Sequence, residues 1–231
     1  MIEDPVLLTI KSRTQRPTEA QIQAFKDVPS SFVSDALGGA GALSPAIKPI
    51  DPPGTLPLHI SGPALTVDCP PADNLGVLAA LGSVQSGDIA VVATLGCVER
   101  AVVGDLVIGM LRNNGCAGFV TDGAMRDMVG LRKMGMGCWA AGLTPASPFK
   151  TGPGTVSHPI TIGGQTVADG DMIEADEDGV VVVPFAQIDA VIARLAAIQD
   201  MEVQRDAAVA EGLKIPQDVS DLLQTNQVKR D

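Results

Sequence analysis

The chain has 231 residues and a formal net charge of -11, from 16 Lys and Arg against 27 Asp and Glu. This charge argues against nucleic-acid binding, because neutralising phosphates requires clustered basic residues. Aromatic residues make up only 3% of a chain that is 45% hydrophobic, so aliphatic side chains must fill the interior, which favours a mixed α/β fold. An acidic protein that takes an anionic substrate must build a local positive site, from a metal ion or from one or two arginines.

The sequence predicts a cytoplasmic protein with no membrane partner. Its first residues are acidic where a secretory signal would be basic, and no apolar run approaches the roughly 20 residues that span a bilayer. Cys69, Cys97, Cys116 and Cys138 each stand alone in apolar stretches, without the close pairing of a zinc site or a disulfide framework. We expect them to be reduced packing residues.

The first part of the chain predicts strands that alternate with helices. Thr18, followed three residues later by Gln21, is the reciprocal capping pattern of a helix that should run to about Asp27. The Gly- and Pro-rich stretch 38–57 predicts a long irregular segment. The further predicted helices are Ser31–Leu37, Asp73–Leu81, Ala101–Asn114 and Arg126–Met134, and the strands are Gly62–Cys69, Asp88–Thr94, Gly118–Thr121 and Gly137–Ala141. This alternation indicates crossover connections and an at least partly parallel sheet.

The pattern changes after Pro148. Short β segments with hairpin-like turns predict an antiparallel annex on the same core, at residues 154–156, 160–162 and 180–183. From Ala186 to about Ala210 apolar residues recur at helical spacing and predict one long helix, and a helical tail is expected over about 216–231. No linker or charge block divides the chain, so we expect one domain over residues 1–231.

The most informative stretch is Asp122-Gly123-Ala124-Met125-Arg126-Asp127, where an apolar strand ends in a tight turn and a helix begins. Open α/β sheets bind ligands beyond the carboxyl ends of their strands. Near a helix start, backbone N–H groups and the helix dipole keep Asp127 ionised, which suits a metal ligand. Arg126 offers a planar fork of donors to a carboxylate or an enolate oxygen. The alternative is that Asp127 only caps the helix and Arg126 pairs with a surface acid.

A second candidate segment is Gly104-Asp105-Leu106-Val107. If a helix begins there, its backbone N–H groups can bind a substrate carboxylate. Asp105 would then face the same cavity, as a base acting through water or as a support for a metal. The alternative is an ordinary helical acid on a solvated face.

Histidine chemistry and nucleotide binding are not predicted. His59 and His158 lie far apart and outside any metal or nucleophile motif. Metal ligation should therefore come from oxygen, which favours Mg²⁺ or Mn²⁺ over Zn²⁺. No glycine-rich dinucleotide loop follows a strand, and no phosphate loop occurs.

These motifs resemble those of the 4-hydroxy-4-methyl-2-oxoglutarate / 4-carboxy-4-hydroxy-2-oxoadipate aldolases, a family that also contains the regulator of ribonuclease E activity. The resemblance covers most of the chain. It rests on six ordered motifs: Val33 to Gly38, Gly62 to Val67, Asp73 to Leu75, Ala101 to Leu106, Asp122 to Asp127, and Asp176 to Val180 leading to Pro184. Several ordered motifs are more specific than one Arg-Asp pair.

The resemblance implies a fold and an assembly. The family has a three-layer α-β-β-α fold like a swivelling phosphohistidine domain, here expected with a mixed sheet and a C-terminal helix. It forms trimers or paired trimers with active sites between subunits. On this resemblance we expect a homotrimer or homohexamer that binds a small 2-oxo acid and releases pyruvate.

The resemblance also assigns roles to single residues. Arg126 is expected to contact the 2-oxo acid, and Asp127 to hold a divalent metal, Mg²⁺ or Mn²⁺, partly through water. The backbone of Gly104 to Val107 would bind the carboxylate of pyruvate, with Val107 where the family has Leu.

Two acidic positions complete the implied site. Asp105 stands where the family usually has Glu, and as a catalytic residue it would hold the water that acts as base. A Glu from the late helix of the neighbouring subunit would complete the metal surroundings. Glu202 is the first candidate for that position and Glu211 the alternative.

The expected function is a metal-dependent aldolase that cleaves a 4-hydroxy-2-oxo di- or tricarboxylic acid to pyruvate and a second oxo acid. Oxaloacetate decarboxylation is an expected side activity, because it passes through the same enolate. The alternatives are that this decarboxylation, or cleavage of a sugar-derived oxo acid, is the main reaction. A third alternative is a non-catalytic regulator that binds a protein partner. A methyltransferase is not expected, because the sequence has no glycine-rich nucleotide loop to hold a methyl donor.

Overall fold

The computed structural model describes residues 4–52 and 54–229. The strands are β1 Leu8–Ile10, β2 Lys48–Pro49, β3 Ile60–Asp68, β4 Ile89–Ala93, β5 Ala101–Val103, β6 Gly118–Thr121, β7 Ala124–Met125, β8 Gly137–Ala140, β9 Gly142–Leu143, β10 Gly154–Val156, β11 Ile160–Ile162, β12 Gln165–Val167, β13 Met172–Ala175 and β14 Val180–Val183. The helices are α1 Glu19–Ala24, α2 Ser30–Ala36, α3 Leu75–Ala80, α4 Asp105–Asn113, α5 Met128–Met134, α6 Ile188–Ala210 and α7 Gln217–Leu222, with a 3-10 turn at Phe185–Gln187.

The main sheet is mixed, and its centre is parallel. Strands β3, β4, β6 and β8 run parallel in that order, and each connection between them contains a helix. Strand β4 is buried along its whole length, which explains its continuous apolar run Ile89–Ala93. The predicted crossover arrangement is therefore confirmed.

Three apolar clusters separate the layers of the fold. One lies between the main sheet and helices α3, α4 and α5, a second lies between the two β layers, and a third lies beneath α1, α2 and α6. Strand β14 alternates between them, with Val180 and Val182 in the second cluster and Val181 and Val183 in the third. The predicted α-β-β-α order with a C-terminal helix is confirmed.

The antiparallel annex after Pro148 is present, but it is joined to the main sheet. Strands β11 and β12 form a hairpin, and its turn residues Gly163 and Gly164 both have positive φ, as a tight two-residue turn requires. Strands β13 and β14 also pair antiparallel, yet β13 and β10 both bond to β3 of the main sheet. The annex thus continues the sheet through the long strand β3.

Several local predictions are confirmed. Thr18 and Gln21 form the expected capping box of α1. The described residues of 38–57, which are 38–52 and 54–57, are irregular apart from β2 and a single bridge from Ala42 to Val181. Helix α7 lies in the predicted tail. Among the described residues every helix is too short or too polar to traverse a bilayer.

Two predicted helix starts are wrong, and both errors fall at the candidate site. Residues 101–103 form strand β5, because this buried Ala-Val-Val run pairs with β7, and the helix begins only at Asp105. The helix predicted from Arg126 begins at Met128. Its preceding residue, Asp127, has left-handed backbone angles of φ 65 and ψ 45, which a right-handed helix cannot contain.

The cysteines are free thiols. Cys69, Cys116 and Cys138 are buried, and burial raises the pKa of Cys69 to about 12 and that of Cys116 to about 11. These thiols stay protonated and serve packing, as expected. Cys97 is only partly buried, and its thiol donates to the carboxylate of Glu99 at 3.2 Å.

A buried ion-pair cluster fastens the segment before α1 to the main sheet. Arg13 and Arg16 both donate to the carboxylate of Asp88, whose side chain is fully buried. Arg13 also reaches Asp169 at 2.9 Å. A buried carboxylate loses its hydrating water, and the two arginines replace the lost hydrogen bonds. Arg13 and Arg16 thereby hold the segment before α1 against the sheet.

Candidate active site

The pairing of β5 with β7 brings the two candidate segments together. These strands are parallel, with Val103 opposite Met125, and the backbone N–H of Arg126 donates to the carbonyl of Val103 at 3.2 Å. Because parallel neighbours end at the same edge, the residues that follow them meet there. Gly104 and Arg126 therefore lie side by side although 22 positions separate them in the sequence.

One cavity of about 270 Å³ collects the predicted residues. It is lined by Gly104, Asp105, Leu106, Val107, Arg126 and Asp127. Three polar residues that the sequence did not single out for a role in the site also line it, namely Asn74, Ser147 and Lys150. A second, more open cleft shares Arg126 and Asp127, so this pair forms the ridge between the two.

The start of helix α4 opens on this cavity. Gly104 is its N-cap in an extended conformation and has no side chain to accept from the first turn. The backbone N–H groups of Asp105, Leu106 and Val107 precede the first intrahelical bond, which Ile108 donates to Gly104. Such a helix start, with its positive dipole end, can bind an anion.

Arg126 is held by two contacts. Its Nε lies 3.1 Å from Oδ2 of Asp127, and its Nη1 donates to Oγ of Ser147 at 2.5 Å. Within the described part of the chain, Nη2 makes no hydrogen bond, so the fork retains donors for a ligand. Its acidic partner is the adjacent Asp127, whose side chain is itself partly exposed, so the alternative that Arg126 pairs with a surface acid stays open.

Asp127 is the N-cap residue of helix α5, but its side chain does not cap the helix. Its side chain accepts no hydrogen bond from the first turn of that helix. The carboxylate instead lies over the backbone of the neighbouring segment, since a Cβ built on Gly104 would be 2.3 Å from Oδ2 of Asp127. The capping alternative is therefore wrong, and a glycine at position 104 is needed to leave room for this carboxylate.

The opposite wall of the cavity is a loop fixed at both ends. Arg100 donates to the carbonyl of Ser147 at 2.7 Å and stacks over the ring of Phe149 at 4.5 Å. Asp73 accepts from the backbone N–H of Thr151 at 2.5 Å and from its hydroxyl at 2.9 Å. Burial alone would raise the pKa of Asp73, but these hydrogen bonds hold the pKa below its ordinary value.

The donor set fits a hard divalent cation that keeps part of its water. Asp127 and Asp105 bring two carboxylates to the cavity, and neither His59 nor His158 lines it. Over residues 4–52 and 54–229, no group of three acidic, His or Cys side chains could hold a metal. Mg²⁺ and Mn²⁺ are commonly held by one or two carboxylates with water filling the rest, whereas a closed zinc site needs more protein ligands.

The two late glutamates lie outside the cavity of their own chain. Glu202 is exposed on α6, and Glu211 is exposed just beyond the end of that helix. Their expected role depends on a neighbouring subunit, so it stays a prediction.

The three cavity residues that sequence analysis did not assign to the site differ in how visible they are in the sequence. Asn74 stands in a motif that carried the family resemblance, and its Oδ1 is buried without a hydrogen-bond partner among the described residues. Ser147 and Lys150 follow Pro145 and Pro148 in a stretch without periodicity, where no local pattern marks a site.

The comparisons with known proteins agree with this architecture. The family model described as RraA-like, Aldolase/RraA, matches residues 30–182. A protein of Halalkalibacterium halodurans, named provisionally as a 4-hydroxy-4-methyl-2-oxoglutarate aldolase, is 36% identical over 192 residues, which are 83% of this chain and 90% of the relative.

Two solved structures share the fold over most of the chain. An uncharacterised protein of Pseudomonas syringae pv. tomato has a TM-score of 0.75 and 25% identity, covering 87% of this chain and 97% of its own. RraAS2 of Streptomyces coelicolor, described as an unusual member of the RNase ES inhibitor RraA family, has a TM-score of 0.72 and 26% identity, covering 84% and 100%. The chain belongs to the RraA-like family of aldolases and RraA proteins.

Proposed function

We propose that this protein is a divalent-cation-dependent lyase that cleaves a 4-hydroxy-2-oxo di- or tricarboxylic acid into pyruvate and a second oxo acid. One observation carries the proposal: Arg126 and Asp127 lie beside the uncapped start of helix α4 and line the same cavity. The name of the Halalkalibacterium halodurans relative supports the same reaction class. Mg²⁺ or Mn²⁺ is the proposed cofactor.

The charge balance of the cavity supports a cofactor. Arg126 and Lys150 contribute two positive charges, and Asp105 and Asp127 contribute two negative ones. A substrate with two carboxylates therefore needs further positive charge. A divalent cation held by Asp127 would supply it and would offset the charge that develops on an enolate oxygen.

The remaining work falls to the protein. The N–H groups of residues 105–107 bind the 1-carboxylate, and Arg126 donates to the 2-oxo oxygen. Asp105, through a water molecule, accepts the proton of the C4 hydroxyl. The C4 carbonyl then forms, the C3–C4 bond breaks, and its electron pair moves into the enolate of pyruvate. Protonation at C3 completes the product.

Asn74 and Lys150 are the proposed contacts for the remainder of the substrate. Lys150 is an exposed cation at the rim of the cavity and suits a distal carboxylate. The buried amide of Asn74 has an unused polar atom beside the same cavity. Lys150 favours a substrate with a second carboxylate, whereas Oδ1 of Asn74 is an acceptor and suits a hydroxyl group.

We also propose a homotrimer or homohexamer with the site at a subunit interface. Leu106, Val129 and Leu143 are 74%, 68% and 52% exposed near the cavity. Met201 and Val203, on either side of Glu202, are 60% and 69% exposed. If the apolar surface around Glu202 in one subunit packs on the apolar surface near the cavity of the next subunit, both surfaces are buried. The same contact would bring Glu202 toward Asp127 of that neighbouring subunit. Sedimentation tests the assembly, and a monomer at working concentration would contradict it.

The decisive test is a coupled pyruvate-release assay with Mg²⁺ over a panel of 4-hydroxy-2-oxo acids. Activity that survives EDTA, or an Asp127→Ala variant with undiminished turnover, would contradict the proposed mechanism. Oxaloacetate belongs in the panel, because decarboxylation needs the same enolate. A higher kcat/KM for oxaloacetate, or for a sugar-derived oxo acid, would make that reaction the main one.

The second candidate function is a regulator that binds a protein partner. It is favoured by the structural likeness to RraAS2 of Streptomyces coelicolor, which is described as a member of a family of RNase ES inhibitors. The same assay separates the two. If no substrate in the panel yields pyruvate, while the protein inhibits an RNase E-type enzyme, the regulator is the better description.

A further inference from the structure

Gly130 lies in the first turn of helix α5, and the carboxylate of Asp105 occupies the place of its missing side chain. A Cβ built on Gly130 would lie 1.9 Å from Oδ2 of Asp105, 2.5 Å from its Cγ and 2.6 Å from its Cβ. The two residues belong to different helices, α4 and α5, which pack against each other. The contact is therefore a tertiary one.

The backbone of Gly130 does not explain why glycine stands there. Its φ lies outside the left-handed range that favours glycine, and it is in the interior of a helix. In such a position glycine is less favourable than alanine, because it loses more backbone freedom on folding. The space taken by Asp105 is the feature of this site that alanine could not accommodate.

The contact is one half of a reciprocal arrangement. The carboxylate of Asp127 lies over Gly104, the residue before Asp105, and the carboxylate of Asp105 lies over Gly130, three residues after Asp127. Both aspartates line the same cavity, and each carboxylate fills the space beside a glycine of the other segment. Two missing side chains thus determine where the two carboxylates of the cavity lie.

We propose that Gly130 is a positioning residue, whose missing side chain lets the carboxylate of Asp105 lie beside that of Asp127. The proposal rests on the proposed function, in which Asp105 accepts a proton through water. Gly130 itself touches neither substrate nor cation and acts only through Asp105.

The test is Gly130→Ala. The added methyl group must displace the Asp105 carboxylate, and because it would also lie 2.6 Å from Cβ of Asp105, helix α4 must shift slightly from α5 as well. We expect kcat to fall by about tenfold or more, with KM nearly unchanged, because the substrate carboxylate is bound by backbone N–H groups. Mn²⁺ affinity, measured by calorimetry, should weaken by about tenfold. The midpoint of thermal unfolding should fall modestly, because a contact between two Cβ atoms cannot be relieved by a rotamer change.

Gly109→Ala is the matched control. Gly109 is also inside a helix at the α4–α5 contact, but its added Cβ would meet only the flexible sulfur of Met134, at 3.1 Å. Its kcat and Mn²⁺ affinity should equal those of the unmodified protein. A second comparison adds Gly130→Ala to Asp105→Gly, which removes every side-chain atom that the new methyl group would meet. If Gly130 acts through Asp105, the addition has no further effect on Mn²⁺ affinity or on residual kcat.

Several outcomes would overturn the inference. These are full kcat and full Mn²⁺ affinity in Gly130→Ala, a further loss in the Asp105→Gly background, or a circular dichroism spectrum that shows partial unfolding of Gly130→Ala at the assay temperature. If the unmodified protein releases no pyruvate and binds no Mn²⁺, the proposed function fails. The crystal structure of Gly130→Ala then tests the inference by itself. A displaced Asp105 carboxylate supports it, and a carboxylate in its original place relative to Asp127 overturns it.

Discussion

The guanidinium of Arg126 donates from Nη1 to the hydroxyl of Ser147 across 2.5 Å, and Arg100 holds the carbonyl of that same serine at 2.7 Å. An arginine side chain has many rotamers, so these contacts reduce the freedom of the fork before any ligand arrives. Ser147 thus connects the loop that carries it to the guanidinium group of Arg126.

Ser147→Ala should lower kcat/KM for pyruvate release by about tenfold, because one charge-assisted hydrogen bond to Arg126 is lost. Steady-state kinetics on the best substrate of the panel measures it. Ser147→Thr keeps the hydroxyl and is expected to retain most activity. Equal kinetics for the alanine variant and the unmodified protein would show that Arg126 needs no support from this residue.

Gly104→Ala should leave the fold intact and remove most activity. Its φ of -128 suits any residue, but the new Cβ would lie 2.3 Å from Oδ2 of Asp127. The carboxylate must then move, and the affinity for Mg²⁺ or Mn²⁺ should fall at least about tenfold. Circular dichroism checks the fold, and calorimetry measures the affinity. Gly82→Ala, whose Cβ would make an ordinary 3.7 Å contact, is the control.

Glu174 should make stability depend on pH. It is fully buried, and burial, followed by repulsion from Asp176 and Asp27, raises its pKa to about 10. Nε2 of His59 lies 2.8 Å away, but complete burial favours the neutral carboxyl over a charged pair. The folded chain therefore holds this proton far above the unfolded value of 4.5.

Because the folded chain binds the proton of Glu174 more tightly than the unfolded chain does, stability should decrease as the pH rises. The stabilising contribution of Glu174 is complete below about pH 4.5 and is lost as pH rises through about 10, by up to about 1.4 kcal/mol for each pH unit. Glu174→Gln removes this dependence, so urea unfolding between pH 6 and 9 should show a shallower decline than in the unmodified protein. Glu177→Gln, at an exposed position, is the control. Parallel pH profiles for the Glu174 variant and the unmodified protein would contradict the buried neutral acid.

Asp88→Asn should destabilise the fold by about 3–5 kcal/mol, because it leaves the buried Arg13 without its main partner. Arg16 loses its partner as well. Chemical denaturation at pH 7 measures the loss, with the exposed Asp200→Asn as a control for charge alone. A change below about 1 kcal/mol would place the cluster among surface pairs of little consequence.

Features set by neighbouring residues could be predicted from the sequence. The capping box of Thr18 and Gln21 and the adjacent pair Arg126-Asp127 each depend on residues a few positions apart. The buried strand Ile89–Ala93 also carries its own signal, since both its faces are apolar. These local patterns were enough for the α/β class and for most of the elements.

Long-range contacts decided what the sequence left open or misplaced. Ala101–Val103 has no periodicity that separates helix from strand, and only its pairing with β7 makes it extended. That pairing sets the start of α4 at Asp105 and places it beside Arg126. Ser147 and Lys150 reach the cavity through a loop that Arg100 and Asp73 hold from distant parts of the chain. The sequence by itself determined which chemical groups the protein has and which helices and strands carry most of them. Tertiary structure alone decided which groups meet, because parallel strands bring together residues that are far apart in the chain.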